Sequence, residues 1–188
     1  MGDRRGTRLR FRLPNAHFHI GNGDASRAFV DSYARPGSAR DREVELPAGA
    51  IRTVDIADAE GVVVTPPEVF GGRHVGSLRL EFADNRIVAV SSEHHDPFVR
   101  AVWASHTGDR DRFGELNVGL NPKLAMVSDV PAIPYYGYGA GVIRVSLGDN
   151  AESGGPHRSS YQQRLFLTDA TVTANGSVVI DEGRLVLL

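Results

Sequence analysis

The chain has 188 residues, 41% of them apolar, which is enough for a hydrophobic core and suggests one domain over residues 1–188. A net charge of -2 and a pI of about 6.4 argue against nucleic-acid and membrane partners. No apolar run approaches the ~18 residues of a transmembrane helix. The chain has no cysteine, and no apolar signal-peptide region follows its Arg-rich N-terminus, so we expect a cytoplasmic protein.

The first predicted strand lies near the N-terminus. Leu9, Phe11 and Leu13 alternate with arginines, which is typical of a half-buried edge strand. His17 and His19 follow, two residues apart. On a strand this spacing places two imidazoles on one face, where they can bind a metal ion. A polar strand face explains the pair without a metal, because no third ligand lies in register.

A short helix and a meander of strands are predicted over residues 24–91. Asp24 is a suitable N-cap for a helix over residues 25–33. Strands are predicted at 51–56 and 61–65, after which Pro66 and Pro67 interrupt the pattern. A further strand at 75–82 turns at Asp84 and Asn85 into a returning strand at 86–91. Sequential hairpins of this kind indicate antiparallel sheet.

One clear helix is predicted over residues 97–107. Asp96 supplies the N-cap, Pro97 occupies the first helical position, and Gly108 ends the helix. Its apolar stripe consists of Phe98, Val99, Val102, Trp103 and His106. His94 and His95 precede the helix, and a polar loop explains this pair more simply than a metal site. With terminal strands at 172–179 and 183–188, we expect an α+β fold, mainly antiparallel β with one or two short helices.

Three strand-like segments, at 113–121, 142–147 and 161–167, carry polar side chains where a core strand would be apolar. Side chains on a strand alternate between its two faces. The pairs that share a face are Glu115 with Asn117, Arg144 with Ser146, and Gln162 with Arg164. If the three strands are neighbours, their carboxylate, guanidiniums and amides converge on one candidate site. A sheet with one solvated face is the alternative.

Two connecting segments are candidates to line that site. Residues 131–141 place Tyr136 and Tyr138 among glycines, and a tyrosine ring offers both a flat apolar surface and a hydroxyl. The alternative is a tight glycine-rich loop with its rings on the surface. Residues 149–160 contain His157, an imidazole able to titrate near neutral pH. It lies between the second and third segments, within reach of a shared pocket.

The segment from residue 113 onward resembles one protein family. Gly114, Glu115, Gly119, Asn121 and Pro122 match a "GE-x-x-x-G-x-N-P" motif. The strand 141–148, the Gly154-Gly155 turn and the segment 159–164 match its later motifs in shape. The chain is thus similar to the C-terminal part of the M29 metalloaminopeptidases (aminopeptidase T type), whose fold the iron-dependent 2,5-dihydroxypyridine dioxygenases share. The resemblance covers about residues 45–188 and does not reach the N-terminal arm 1–45.

The metal ligands that this resemblance implies are mostly replaced. The family's two histidines fall on Arg144 and Gln162, its aspartate on Arg164, a further glutamate on Ala50 and a tyrosine on Ala151. Glu115 is retained. Arginine is permanently charged and does not bind metal, so the resemblance implies the fold and argues against the family's chemistry. We therefore expect no metal and no other cofactor.

Several functions remain compatible with this pattern. Arg144 and Arg164 would hold an anionic or carbonyl compound, with Glu115 as general base and Asn117 and Gln162 orienting the ligand. That describes a metal-independent small-molecule enzyme of the lyase, isomerase, cyclase or hydrolase class. The alternatives are a non-catalytic domain that binds a ligand or partner, a structural ion-pair network, and a metal-dependent aminopeptidase or dioxygenase that uses other histidines.

The oligomeric state is a further expectation from the resemblance. Family members carry a large N-terminal domain that helps to cover the active site, and from the resemblance we do not expect residues 1–188 to contain it. Either the site is open, or another chain covers it. On this ground we expect a homo-oligomer that acts on a small-molecule substrate and has no nucleic-acid or membrane partner.

Overall fold

The computed structural model describes residues 1–13, 19–21, 49–124 and 137–186, with the backbone alone described at 19–21. Within these ranges the chain forms twelve strands and one helix. The strands are β1 (Arg8–Arg12), β2 (His19–Gly21), β3 (Ala50–Thr53), β4 (Ala57–Phe70), β5 (Arg73–Ala83), β6 (Arg86–Ser92), β7 (Phe113–Gly119), β8 (Ile143–Gly148), β9 (Gln162–Leu167), β10 (Val172–Ala174), β11 (Ser177–Asp181) and β12 (Arg184–Leu185), and the helix is α1 (Asp96–Ser105). The α+β, mainly antiparallel fold is thereby confirmed.

A four-stranded sheet has the order β1-β4-β5-β6, with every neighbouring pair antiparallel. In β5, Leu78, Leu80 and Phe82 are buried, as their alternation predicts. Asp84 and Asn85 join β5 to β6 with positive φ angles of 50° and 62°, a conformation that favours tight hairpin turns. The meander and the N-terminal edge strand predicted from the sequence are therefore present.

Strand β4 corrects the prediction that Pro66 and Pro67 interrupt the pattern. The strand runs through both prolines, and the pairing register with β5 shifts on either side of Pro67. A proline cannot donate a hydrogen bond, so it fits a strand at such an irregularity and not within a regular ladder. The local irregularity lets one long strand replace the short strand expected at 61–65.

A five-stranded sheet has the order β2-β3-β7-β8-β9, again antiparallel throughout. The three polar segments of the sequence are thus adjacent strands, as the site hypothesis required. Strands β7 and β8 are buried along almost their whole length. Both faces of this central part of the sheet are therefore covered, including the face that carries polar side chains.

Helix α1 begins one residue earlier than predicted and ends two residues earlier. His95, in the left-handed region, is the N-cap and makes no side-chain capping bond. Asp96 instead accepts hydrogen bonds from the Ser92 amide, at 2.9 Å, and from Arg100 Nε, at 2.6 Å. The helix packs through Val99 and its partly buried apolar neighbours, which confirms the predicted stripe. The helix proposed at 25–33 lies outside the described residues.

The two larger sheets share one hydrophobic core. Phe113 of β7 is the point of contact, since its ring lies 5.9 Å from that of Phe11 and 5.7 Å from that of Phe82. Strands β10, β11 and β12 form a small third sheet whose Ile180 reaches the same core. No helix in the described part of the chain has the length and apolar character needed to cross a membrane.

Candidate functional site

Polar side chains occupy one face of the five-stranded sheet in two cross-strand rows. The first row pairs Arg52 of β3 with Asn117 of β7, and Asn117 with Arg144 of β8. The second pairs Glu115 with Ser146, and Ser146 with Arg164 of β9. Residues directly opposite each other on antiparallel strands point to the same face. We call this set the polar face: Arg52, Glu115, Asn117, Arg144, Ser146 and Arg164.

An ion pair lies at the centre of the polar face. Arg144 Nη2 donates to Glu115 Oε1. Both residues are only 3% exposed, so the pair is shielded from solvent. Ser153, in the loop after β8, donates its hydroxyl to the other Glu115 oxygen. The predicted meeting of Glu115 and Arg144 is therefore present in the structure, and both carboxylate oxygens accept a hydrogen bond.

Asn117 Oδ1 and the Tyr138 hydroxyl are also buried here, and neither atom has a hydrogen-bond partner in the described part of the chain. Asn117 Nδ2 donates to the Gly137 carbonyl at 3.2 Å, which fixes the orientation of the amide. The Arg52 guanidinium lies 6.0 Å from the centre of the Tyr138 ring. Tyr138 is therefore part of the buried site and not a surface ring.

Gly119 at the end of β7 explains how Tyr138 comes so close. A Cβ atom at this position would lie 2.0 Å from the Gly139 carbonyl oxygen and 2.5 Å from that of Gly137. The Asn121 amide also donates to the Tyr138 carbonyl at 2.9 Å. The backbone around Tyr138 thus packs directly against β7 because glycine leaves room for it.

Arg164 and Gln162 lie at the rim of the polar face. The Arg164 side chain is 35% exposed, and its Nη2 lies 3.4 Å from Glu152 Oε2. Gln162 is exposed and donates to the Asp149 carbonyl at 3.3 Å. The structure thus brings the central three of the predicted site residues, Glu115, Asn117 and Arg144, into the interior. It leaves Arg164 and Gln162 where solvent reaches them.

His157 contacts Asn150, a residue that sequence reasoning did not single out. The Asn150 amide nitrogen lies 3.3 Å from His157 Nδ1 and also donates to the Gly114 carbonyl at 2.8 Å. Burial lowers the pKa of His157, so its neutral form is favoured. The shared contact with Asn150 places the His157 imidazole beside the start of β7. Tyr136, the other predicted lining residue of that group, lies outside the described residues.

Two members of the site were missed by sequence reasoning. Arg52 lies between Ile51 and Thr53 in β3, and the alternation that identified Arg144 applies to it equally. Ser153 lies in an irregular loop, where no periodic pattern could indicate its contact with Glu115. Three guanidiniums of the polar face therefore accompany one buried carboxylate. Glu152 adds a second carboxylate at the rim of the polar face, where its Oε2 lies 3.4 Å from Arg164 Nη2.

The residues at the metal positions implied by the resemblance do not fit a divalent metal. Glu115 is the one strong ligand among positions 115, 144, 162 and 164, and its carboxylate is bound to Arg144. A guanidinium only donates hydrogen bonds and repels a cation. Among the described residues, no group of three or more His, Asp or Glu could hold a metal ion. His17 lies outside these residues, and of His19 only the backbone is described.

Comparison with known proteins identifies the fold at a distance. No protein-family model and no curated protein sequence matches the chain. The solved structure of 2,5-dihydroxypyridine dioxygenase from Pseudomonas putida KT2440 gives a TM-score of 0.57 at 18% identity, over 74% of this chain and 44% of that chain. Wild-type AmpT from Thermus thermophilus gives 0.54 at 20% identity, over 95% and 49%. The chain spans about half the length of each, and the likeness shows the fold alone.

Proposed function

We propose that the chain is a metal-independent enzyme that acts on a small anionic or carbonyl compound bound at the polar face. The observation that carries the proposal is the Glu115–Arg144 pair, buried in the middle of a sheet between Asn117 and Ser146. Removing two charges from water costs several kcal/mol per ion, on the order of the whole stability of a domain. A sheet interior would be more stable with apolar residues there, so a role in chemistry accounts for their presence.

The roles follow from charge and position. Arg144 and Arg164 hold the anionic part of the substrate, since a planar guanidinium matches a carboxylate or enolate. Glu115 takes a proton from the bound compound, and the adjacent guanidinium stabilises the negative charge that develops on its oxygen. Asn117 and Tyr138 orient the compound. Ser153 is a positioning residue, because it acts on the substrate through Glu115.

A second candidate, a ligand-binding domain without catalysis, is favoured by one observation. Both oxygens of Glu115 already accept hydrogen bonds, from Arg144 and Ser153. A general base needs a free lone pair directed at the proton it removes. To act as one, Glu115 must direct at the substrate a lone pair that neither Arg144 nor Ser153 occupies. If no such lone pair faces the bound compound, the arginines bind the anion and no reaction follows.

The two candidates are separated by one experiment with defined compounds. The protein is incubated with a panel of small carboxylates, 2-oxo acids, lactones and enol esters, and depletion is followed by mass spectrometry. We expect turnover of at least one compound, reduced about 100-fold or more in Glu115→Gln, as for loss of a general base. Glu81→Gln, on an exposed pair of the four-stranded sheet, is the control and should match wild type.

The outcomes are distinct. Binding measured by thermal shift without depletion of any compound supports the binding domain and contradicts the enzyme. Unchanged turnover in both Glu115→Gln and Arg164→Gln, with both variants folded by circular dichroism, contradicts the placement of the reaction at the polar face. Absence of both binding and turnover across the panel contradicts both candidates.

A further inference from the structure

Asn117 Oδ1 and the Tyr138 hydroxyl have no hydrogen-bond partner among the described residues, and they indicate what the bound compound must supply. Asn117 is fully buried and Tyr138 is 2% exposed. Nearly all buried polar groups in folded proteins have a hydrogen-bond partner, and an unpaired one destabilises the fold. The amide oxygen can only accept a hydrogen bond, whereas the tyrosine hydroxyl can donate or accept. A matching ligand therefore carries a group that donates to Asn117 Oδ1 and either accepts from or donates to the Tyr138 hydroxyl.

The positions of these atoms relative to the arginines restrict the ligand further. Asn117 is the direct cross-strand neighbour of both Arg52 and Arg144, and such neighbours have Cβ atoms about 5 Å apart. The Arg52 guanidinium also lies over the Tyr138 ring. An acid group held by Arg52 would therefore lie near the Tyr138 ring, on the face of the sheet that also carries Asn117.

We infer that the polar face recognises a 2-hydroxycarboxylate, whose hydroxyl donates to Asn117 Oδ1 and accepts from the Tyr138 hydroxyl while an arginine holds its carboxylate. The inference rests on the proposed function and names the class of compound bound there.

Other substituents satisfy this arrangement less well. A 2-oxo group accepts from Tyr138 but cannot donate to Asn117. A 2-amino group can donate, but in its ammonium form it places positive charge beside Arg52 and Arg144. A hydrogen atom at the same carbon leaves both protein atoms unpaired. The hydroxyl is the one of these four groups that meets both atoms without charge repulsion.

The test uses four acids with one carbon skeleton: lactate, pyruvate, alanine and propionate. Dissociation constants are measured by protein-observed NMR titration at fixed pH and ionic strength, for which a 20.3 kDa chain is suitable. We expect lactate to bind at least ~10-fold more tightly than propionate, because a site that pairs with a hydroxyl discriminates against the analogue lacking it. Pyruvate should be intermediate and alanine weakest.

Tyr138→Phe provides a readout that a structural role for the hydroxyl would not give. A hydroxyl that stabilised the fold would lower the melting temperature when removed. Because this one is buried without a partner, we expect its removal to raise the melting temperature of the ligand-free protein by ~2–4 °C. The preference for lactate over propionate should fall to within about twofold, since Asn117 alone then contacts the hydroxyl. Tyr161→Phe, which alters a buried tyrosine outside the polar face, should leave the preference intact.

The failures can be told apart. Equal binding of all four acids by the wild-type protein overturns the inference and leaves the proposed anion site standing. A lactate preference that persists in Tyr138→Phe overturns the role assigned to this hydroxyl. If none of the four acids binds, the inference and the proposed function fail together. The wild-type ranking requires no variant, so the test stands even if Tyr138→Phe does not fold.

Discussion

The two large sheets differ in how far their ion pairs are exposed to solvent. In the four-stranded sheet, Arg79 Nε lies 3.2 Å from Glu81 Oε1, and the two side chains are 49% and 47% exposed. Its Arg10–Glu60 pair is likewise on the surface. In the five-stranded sheet, Glu115 and Arg144 form their pair with both side chains 4% exposed. The same two residue types thus form a solvated pair in one sheet and an enclosed pair in the other.

This difference shows which charges require an explanation. A sheet with one face in water carries polar residues on that face at almost no cost, and an exposed ion pair there is worth about 0–1 kcal/mol. The alternation of Arg79 and Glu81 with apolar residues reflects only this. In a buried pair both charges are removed from water, so each charge is stabilised mainly by the other. The alternating pattern is identical in both cases, so burial, and not the pattern, distinguishes the candidate site from a solvated surface.

The sharpest test of the contrast removes one arginine from each pair. We expect Arg144→Gln to lower the free energy of unfolding by about 3–5 kcal/mol, because it leaves the Glu115 carboxylate buried without a compensating charge. Arg79→Gln should change it by less than about 1 kcal/mol. Urea unfolding of both variants under identical conditions measures the difference. Similar losses in the two variants would mean that the pairs are not distinguished by burial.

The double variant Glu115→Gln/Arg144→Gln separates the ion pair from packing. It removes both charges while residue 144 is glutamine in both variants, so it should be more stable than Arg144→Gln alone. Anion binding should nevertheless be weakened, since positive charge has been removed from the polar face. A double variant as unstable as the single one would show that the loss in Arg144→Gln comes from packing.

Much of the fold was accessible from local patterns. The alternation in β5, the Asp84-Asn85 turn and the stripe on α1 each depend on neighbours in sequence, and each is confirmed. The passage of β4 through Pro66 and Pro67 could not be predicted in this way, because proline usually interrupts a strand. Only the pairing with β5 shows the shift in register that accommodates the prolines. The N-cap of α1 is His95 and not the predicted Asp96, whose carboxylate accepts hydrogen bonds from Ser92 and Arg100 instead.

For the candidate site, the periodicity of the sequence predicted which face of a strand each side chain lies on, but not how deeply that side chain is buried. It put Glu115, Asn117 and Arg144 together correctly, because strand neighbours in sequence were also neighbours in the sheet. It gave no sign that these three are enclosed while Gln162 is exposed. The contact from Ser153 depends on a loop conformation, for which a sequence contains no period. The predicted role of Tyr136 stays a prediction.

A smaller effect on stability, with a large effect on binding, is expected from Gly119→Ala. The new methyl group would meet the Gly139 and Gly137 carbonyls, so the segment carrying Tyr138 must shift, at a cost of about 1–3 kcal/mol. We expect binding of the preferred acid to weaken, because Tyr138 moves away from Asn117. NMR titration and urea unfolding measure the two effects.

Gly72→Ala, in the turn between β4 and β5 of the four-stranded sheet, is the matched control. Its Cβ would meet nothing within 4 Å, but its φ of +77° makes any side chain unfavourable there, by about 1–2 kcal/mol. Stability should fall while acid binding is unchanged. Loss of binding in Gly72→Ala would mean that the binding assay reports general destabilisation and not the position of Tyr138.

The four-stranded sheet offers one exception that sharpens the comparison: Glu68 of β4. Burial raises the pKa of this carboxyl from 4.5 to about 7, and no described ion pair offsets the burial. The folded state then binds more protons than the unfolded state between these two values, so stability falls as the pH rises from about 4.5 to 7. Because Glu68 is only partly buried, solvent screening reduces the effect to about 1–2 kcal/mol.

Glu68→Gln should therefore be more stable than wild type above pH 7 and equal to it near pH 4. Thermal unfolding across this range measures the difference, with Glu60→Gln on the exposed side of β4 as the control. The presence of a partner distinguishes the two carboxyls: Glu68 is partly buried with no described cation beside it, whereas Glu115 is buried and paired with Arg144. If the stability of Glu68→Gln follows the wild-type pH dependence, then another group titrates in this window. In that case the Glu68 carboxyl would be as well solvated as the exposed ion pairs of the four-stranded sheet.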